Sequence, residues 1–291
     1  DRWGNPPFPA PAGAELAAWF TNDNTKTLDD KWATLTQSLG GLFCTSLSAL
    51  QNTTIAVPYT AYSHTGRSNM YQGMTHAQFK HGLLPGEAVC IENISPWLKL
   101  LPCRSQGGLA ALMSPPKKLY NAKYHSMGLH FRPTCSDEDC KKVSLELVQT
   151  LTLILATPKT KKNSISLKDL LNAKSVKPCP LATNSMIYIA HPSDKIEISA
   201  TANPEQRGDL VAFDLTKREK PLSLSFKVKD RIDTAKPLFT VRRHLTGHGQ
   251  QSGGFAIDFL NRGNNAVDVD FFNYVPWFVK FYFHTMKTFV N

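Results

Sequence analysis

No stretch of this 291-residue sequence reaches the about 18 uninterrupted apolar residues that a membrane-crossing helix requires. The most hydrophobic segment, Tyr274 to Phe283, is cut by Pro276 and Lys280. Catalytic signatures are also missing: there is no G-x-S-x-G, no H-E-x-x-H and no P-loop. Charged residues are sparse at 19% against 42% hydrophobic, which excludes a disordered chain and describes a globular one. No internal repeat is visible. An initiator methionine is lacking at Asp1, and Asn291 falls inside an apolar, strand-like pattern. The expectation is a chain cut at both ends from a longer one, with an upstream signal and a single downstream membrane anchor left out.

The charge that is there is positive, +10 with a pI near 9.3, but it is scattered. The densest runs, Lys159-Thr160-Lys161-Lys162 and Lys117-Lys118, are short and flanked by prolines or polar residues. No basic-aromatic motif accompanies them, so no nucleic-acid partner is expected. Six cysteines admit many pairings, and spacing selects none of them. Cys135 and Cys140 form half of a zinc pattern with no second half, and Gly247 and Gly249 oppose a helix presenting His244 and His248 together. Neither a metal nor a cofactor is expected. Six thiols in a chain without a metal pattern place it in an oxidising, lumenal or extracellular compartment.

Residues 1–13 are rich in proline and glycine and read as an extended entry. From Asp29 to Phe43, Trp32, Leu35, Leu39 and Leu42 recur three and four apart, which predicts a helix with one apolar stripe ending near Gly40-Gly41. Thr45 to Gly86 is polar and irregular, and its histidines 64, 76 and 81 read as surface residues. Gly107 to Met113 fits a short helix or a strand. The acidic Ser136–Asp139 stretch between Cys135 and Cys140 reads as a small disulfide-closed turn; it lacks the spacing of a calcium loop.

From Val143 the pattern changes. Val143, Leu145 and Leu147 open a long strand running to Ala156, and Ser166-Leu167-Lys168-Asp169 starts a short helix with a capping box. Met186–Ala190, Ile196–Ala200, Leu210–Leu215 and Leu222–Val228 then follow at hairpin-like spacing. Leu238–Leu245, Phe255–Leu260, Val267–Phe271 and Trp277–Phe283 continue the series. The expected fold is mainly β with some α: an antiparallel, β-sandwich-like body with a few helices in the first half. Its expected parts are a mixed α/β segment, 1–142, and a β-rich segment, 143–291.

The glycine-rich loop Gly247-His248-Gly249-Gln250-Gln251-Ser252-Gly253 has its third glycine one residue late for a dinucleotide fingerprint, and strands follow it; it reads as a tight turn. A thiol enzyme or hydrolase using Cys90 with one of nine histidines is the alternative function, though no complete catalytic set is visible. The most informative stretch is Ala88 to Cys103, AVCIENISPWLKLLPC. It holds two cysteines, a sequon at Asn93-Ile94-Ser95 and a Pro96-Trp97 corner, and reads as a docking surface with Glu92, Pro96 and Trp97 as interface candidates. A second sequon, Asn52-Thr53-Thr54, lies in a polar loop and is the expected glycan site. Asn93 is expected to be bare, because a proline follows Ser95.

Several segments in fixed order resemble one family. They are Trp3-Gly4-Asn5-Pro6-Pro7-Phe8, Gly41-Leu42-Phe43-Cys44, Val89-Cys90-Ile91-Glu92-Asn93-Ile94-Ser95-Pro96-Trp97 with Lys99-Leu100-Leu101-Pro102-Cys103, Arg132-Pro133-Thr134-Cys135, Pro178-Cys179-Pro180-Leu181-Ala182, Thr246-Gly247-His248-Gly249-Gln250 and Val275-Pro276-Trp277. Together the sequence resembles the lumenal part of the PIG-T family, the phosphatidylinositol-glycan class T subunits of the GPI transamidase.

The resemblance implies a non-catalytic scaffold subunit on the lumenal side of the endoplasmic reticulum membrane. The implied partners are the caspase-like catalytic subunit, other membrane subunits and, indirectly, the precursors of GPI-anchored proteins. It also implies that Cys90 forms an intersubunit disulfide to the catalytic subunit. Of the remaining cysteines, Cys135–Cys140 is then the first expected intrachain pair and Cys103–Cys179 the second.

Overall fold

The computed structural model describes residues 13–20, 26–51, 54–57, 78–87, 89–113, 117–137, 139, 141–155, 164–171, 173–190, 196–208, 210–216, 220–228, 238–247, 253–269, 271, 273, 275 and 279–290. The fold is mainly β and antiparallel, with helices concentrated in the first half. Two compact units interleave along the chain, whereas the sequence reading divided it once, between 142 and 143. One unit comprises Leu101–Gly128 and Thr150–Val269; the other comprises Pro11–Leu100, Leu129–Gln149 and Asp270–Asn291.

The unit that holds residues 11–100 is built on a three-stranded sheet, β1 (Gly13–Trp19), β2 (Ile55–Ala56) and β3 (Phe79–Pro85), with β3 in the middle. Against it packs α1 (Leu28–Phe43). Thr27 caps the start of α1 by accepting from the Asp30 amide at 3.1 Å, and Asp29 and Asp30 place negative charge at the positive end of the helix. Trp32 is 2% exposed, packs with Leu47 and Leu50, and donates its indole N–H to the Leu50 carbonyl at 2.8 Å. Strand register puts Ala14, Leu16 and Ala18 of β1 beside Leu84, Gly82 and Lys80 of β3 on the face that meets this core.

Three expectations for this region change. The helix runs through Gly40 and Gly41 and stops at Cys44, whose left-handed backbone (φ 53°, ψ 44°) turns the chain. Gly40 serves a close approach instead: a Cβ there would sit 3.1 Å from the Thr45 carbonyl oxygen. Thr36 and Gly40, rather than Leu42, complete the buried stripe with Trp32, leaving Leu42 at the rim of the helix end, 51% exposed. His81 is buried, not superficial, because β3 places it diagonal to Glu15 of β1, whose Oε1 lies 2.9 Å from its Nε2. His64 and His76 lie outside the described residues.

The other unit contains a small sandwich. One sheet orders β7 (Met186–Ala190), β10 (Leu210–Asp214) and β9 (Glu205–Arg207); the second orders β6 (Ser164–Ser166), β11 (Leu224–Val228) and β8 (Ile196–Ala200). Val211 and Phe213 with Ile187 and Ile189 from the first sheet meet Leu224 and Phe226 with Ile198 and Ala200 from the second in one core. Burying each such large apolar side chain contributes about 1.5–3 kcal/mol. The order is not the run of hairpins that spacing suggested: β7 pairs with β10 and β8 with β11, so the chain crosses between sheets from β7 to β8, from β8 to β9 and from β10 to β11, while β9 and β10 pair directly. Between β6 and β7, α4 (Leu167–Leu171) begins with the expected box, Ser166 N–H donating to Asp169 at 2.9 Å and Asp169 N–H to Ser166 at 3.3 Å.

In the same unit, Cys103 and Cys179 are disulfide-bonded, with Cα atoms 5.6 Å apart. The bridge lies beside α3 (Gly108–Leu112), so of the two readings for Gly107 to Met113 the helix holds, with Gly107 itself an extended N-cap. A Cβ on Gly107 would lie 2.4 Å from the Pro178 carbonyl oxygen, so glycine is what allows the segments to approach.

Two long hairpins complete the fold. In the first, β4 (Tyr124–Cys135) and β5 (Val143–Ile154), Arg132 ion-pairs with Glu146. In the second, β12 (Phe239–Thr246) pairs with β13 (Gly254–Asn261), and Gly247 directly after β12 takes φ +94°; residues 248–252 of the glycine-rich loop lie outside the described residues. Among the described residues, 267–269 and 271 of Val267–Phe271 and 279–283 of Trp277–Phe283 do not form the expected strands. A strand forms only where a second strand supplies ladder hydrogen bonds, and alternation alone does not supply them. Trp277 lies outside the described residues, as do Asn52 and Cys140. Among the described residues, no helix is long and apolar enough to cross a membrane.

Candidate functional site around Cys90

The stretch singled out in the sequence becomes a helix start facing a helix end. After β3, Gly86 turns the chain at φ +79°, and Cys90 takes the N-cap position of α2 (Ile91–Lys99) with an extended backbone (φ −119°, ψ 178°). Asn93 stands three residues on, at the third helical position. Its Oδ1 accepts from the Cys90 backbone N–H at 2.7 Å and from the Cys90 thiol at 3.1 Å. The same amide donates through Nδ2 to the carbonyls of Phe43 at 2.6 Å and Cys44 at 3.1 Å. Those carbonyls are among the orphaned acceptors at the end of α1. One asparagine therefore satisfies both helix termini. A second tie runs alongside, from the Ser46 N–H to Glu87 Oε1 at 2.9 Å.

Below this junction α2 buries Ile94, 1% exposed, and Trp97, 3% exposed, and Gln149 donates to the Trp97 carbonyl at 2.8 Å. Trp97 thus anchors the helix within its own unit. Pro96 lies inside α2, not at a corner; lacking an N–H, it cannot pair with the Glu92 carbonyl one turn back. Glu92 is exposed, and a hydrogen bond from Cys90 holds its carboxyl below the usual carboxylate range. Ile91, directly after Cys90, leaves 56% of its surface open.

Cys90 and Cys44 are the free cysteines among the described residues, Cys44 exposed and Cys90 partly so. Cys135 is disulfide-bonded; Cys140, its expected partner, lies outside the described residues. The hydrogen-bonding side chains at Cys90 belong to Asn93 and Glu92. Among the described residues no three metal-ligating side chains converge.

Sequence reasoning named Cys90, Glu92, Asn93, Pro96 and Trp97 but missed that Cys44 and Glu87 belong to the same junction. A signal existed for Asn93. A capping residue at 90 and a polar acceptor at 93 is the spacing of a capping box, with cysteine in the place of serine.

Fold and site define a mainly β, antiparallel protein with an intrachain disulfide and a free, partly exposed thiol at a helix start. The family model described as "Gpi16 subunit, GPI transamidase component" matches residues 1–165 and 156–291, and the chain belongs to that family. It is 31% identical over 98% of its length to the human "GPI-anchor transamidase component PIGT" and 30% identical to the mouse protein of the same description. It is 23% identical over 95% of its length to the Saccharomyces cerevisiae "GPI transamidase component GPI16". The chain spans about half the length of these curated relatives, 52% in each case.

Proposed function

We propose that this chain is the lumenal body of a non-catalytic GPI transamidase subunit in the endoplasmic reticulum. In this reading it holds the caspase-like catalytic subunit through a disulfide from Cys90, while that subunit performs the transfer of precursor proteins to the glycolipid. The observation that carries the reading is the state of Cys90: unpaired, partly exposed and held at the start of α2 beside the exposed Ile91. An interior thiol would be packed away, and a catalytic one would need a base and a charge-stabilising group in reach. The proline after the Asn93 sequon fits the same reading, since a glycan at the junction would obstruct a docking protein.

The test is peptide mapping of the non-reduced complex by mass spectrometry. The reading expects one peptide containing Cys90 joined to a cysteine peptide of the catalytic subunit and lost on reduction. Recovery of Cys90 as a free thiol, or bonded within this chain, in an active complex would overturn it.

A further inference from the structure

We propose that Asn93 is the positioning residue of the Cys90 thiol: it fixes the direction in which the sulfur can react and ties that direction to the end of α1. The proposal rests on the reading of Cys90 as the tether, and it assigns a role to a residue whose sequon suggested glycosylation.

The argument is stereochemical. An N-cap side chain is short, and its rotamer decides whether its polar atom turns back over the helix or away from it. Here the Asn93 Oδ1 engages Cys90 twice, once at the backbone N–H and once at Sγ. The backbone bond fixes the N-cap conformation, and the thiol bond selects among the rotamers that conformation leaves. The acceptor is itself immobilised, because the Nδ2 of the same planar amide donates to both Phe43 and Cys44. An asparagine carries one acceptor oxygen and two donor hydrogens, and all are used. No aliphatic or hydroxyl side chain at 93 could make the four contacts. A glycan would replace one of the two donor hydrogens, so modification and clamping exclude each other.

The thiolate is the nucleophile and has no hydrogen to give the Asn93 oxygen, so the S–H bond must open before Cys90 reacts; this slows reagents in free solution, while a partner docked at the junction meets the sulfur where the bond has held it. The test uses the full-length protein expressed without the other subunits. Alkylation of Cys90 by iodoacetamide is timed by mass spectrometry, with glutathione added to the same reaction as the reference thiol. In Asn93→Ala, Cys90 should alkylate about threefold to tenfold faster relative to glutathione, the rate equivalent of one hydrogen bond. Ser95→Ala removes the sequon and keeps the clamp, so its ratio should match wild type. Ile94→Val loosens α2 by one buried methylene without touching the amide, and should lower the melting temperature with the ratio unchanged.

In the assembled complex, Asn93→Ala should lower the fraction of chain linked to the catalytic subunit. An unchanged ratio in Asn93→Ala would overturn the inference. So would an equal rise in Ile94→Val, which would show that Asn93 only joins the helices. Because the alkylation ratio is read without a partner, a wild-type complex with no Cys90 bond would sink the tether alone and leave the positioning result standing.

Discussion

A Cβ built on Gly82 in the middle strand of its sheet would lie 3.2 Å from Cζ2 of Trp32, with Leu50 methyls at 2.9 and 3.0 Å. The indole of α1 rests on the sheet because that strand position carries no side chain. Gly82→Ala should therefore destabilise its unit by about 1–3 kcal/mol through overpacking. Trp32→Ala should cost about 3–5 kcal/mol and free the Leu50 carbonyl as well. Urea unfolding followed through the Cys90 alkylation rate and overall fluorescence would measure both. A neutral Gly82→Ala would show that α1 does not sit where the structure has it.

Lys80, 5% exposed at its side chain, ion-pairs with Asp29 in the first turn of α1, whose own side chain is 62% exposed. The buried partner bears the desolvation, so the two single changes are unequal. Lys80→Met removes the buried charge and replaces it with apolar volume; Asp29→Ala leaves the ammonium without its carboxylate and also weakens the helix start. Thermal melting should rank Asp29→Ala below Lys80→Met. The reverse order would contradict the pairing.

Burial lowers the pKa of His125 and of His130, and for His130 the positive charge of Arg132 acts in the same direction. Both lie on β4. A histidine whose folded pKa sits below its unfolded value binds more protons unfolded, so stability rises with pH across that interval. Acidification from neutrality through about pH 6.5, the ordinary histidine value, should begin to destabilise the hairpin. Hydrogen exchange of β4 amides between neutral and mildly acidic pH should show the loss, and His125→Gln with His130→Gln should flatten it.

Glycan mapping should find Asn52 occupied and Asn93 bare. Asn52→Gln should remove the mobility shift given by deglycosylation, and Ser95→Ala should leave it intact. Pro96→Ala should open the Asn93 sequon, and the glycosylated fraction should lack the bond to the catalytic subunit. A glycan on Asn93 in the wild-type protein would be incompatible with its two carbonyl contacts.

What could be read from residues alone was local. Period-two alternation placed the strands Met186–Ala190 and Ile196–Ala200 at their observed bounds, because one face of each is packed and the other is not. The three- and four-residue spacing after Asp29 likewise marked α1. Long-range choices were not legible. Spacing cannot say that the strand after Ser185 pairs with the one before Leu215 while its immediate successor pairs elsewhere.

The burial of His81 depends on Glu15, 66 residues away, and the role of Asn93 depends on carbonyls 49 and 50 residues away. Val267–Phe271 carried an alternating pattern, but alternation makes a strand only where another strand supplies hydrogen bonds. At the site, the sequence located Cys90 and its neighbours; it could not show that two of the resemblance-bearing segments, Gly41–Cys44 and Val89–Trp97, meet through one amide.

The central claim, that Cys90 joins this subunit to another protein, is tested most directly by non-reducing electrophoresis of the full-length protein from microsomes. Wild type, Cys90→Ser and Cys44→Ser should run side by side. The account expects a heavy species in wild type and Cys44→Ser that collapses on reduction and is missing from Cys90→Ser, with transamidation reduced but not abolished. A heavy species that survives in Cys90→Ser, or none in wild type, would contradict the tether. Complete loss of activity in a folded Cys90→Ser protein would contradict the non-catalytic assignment.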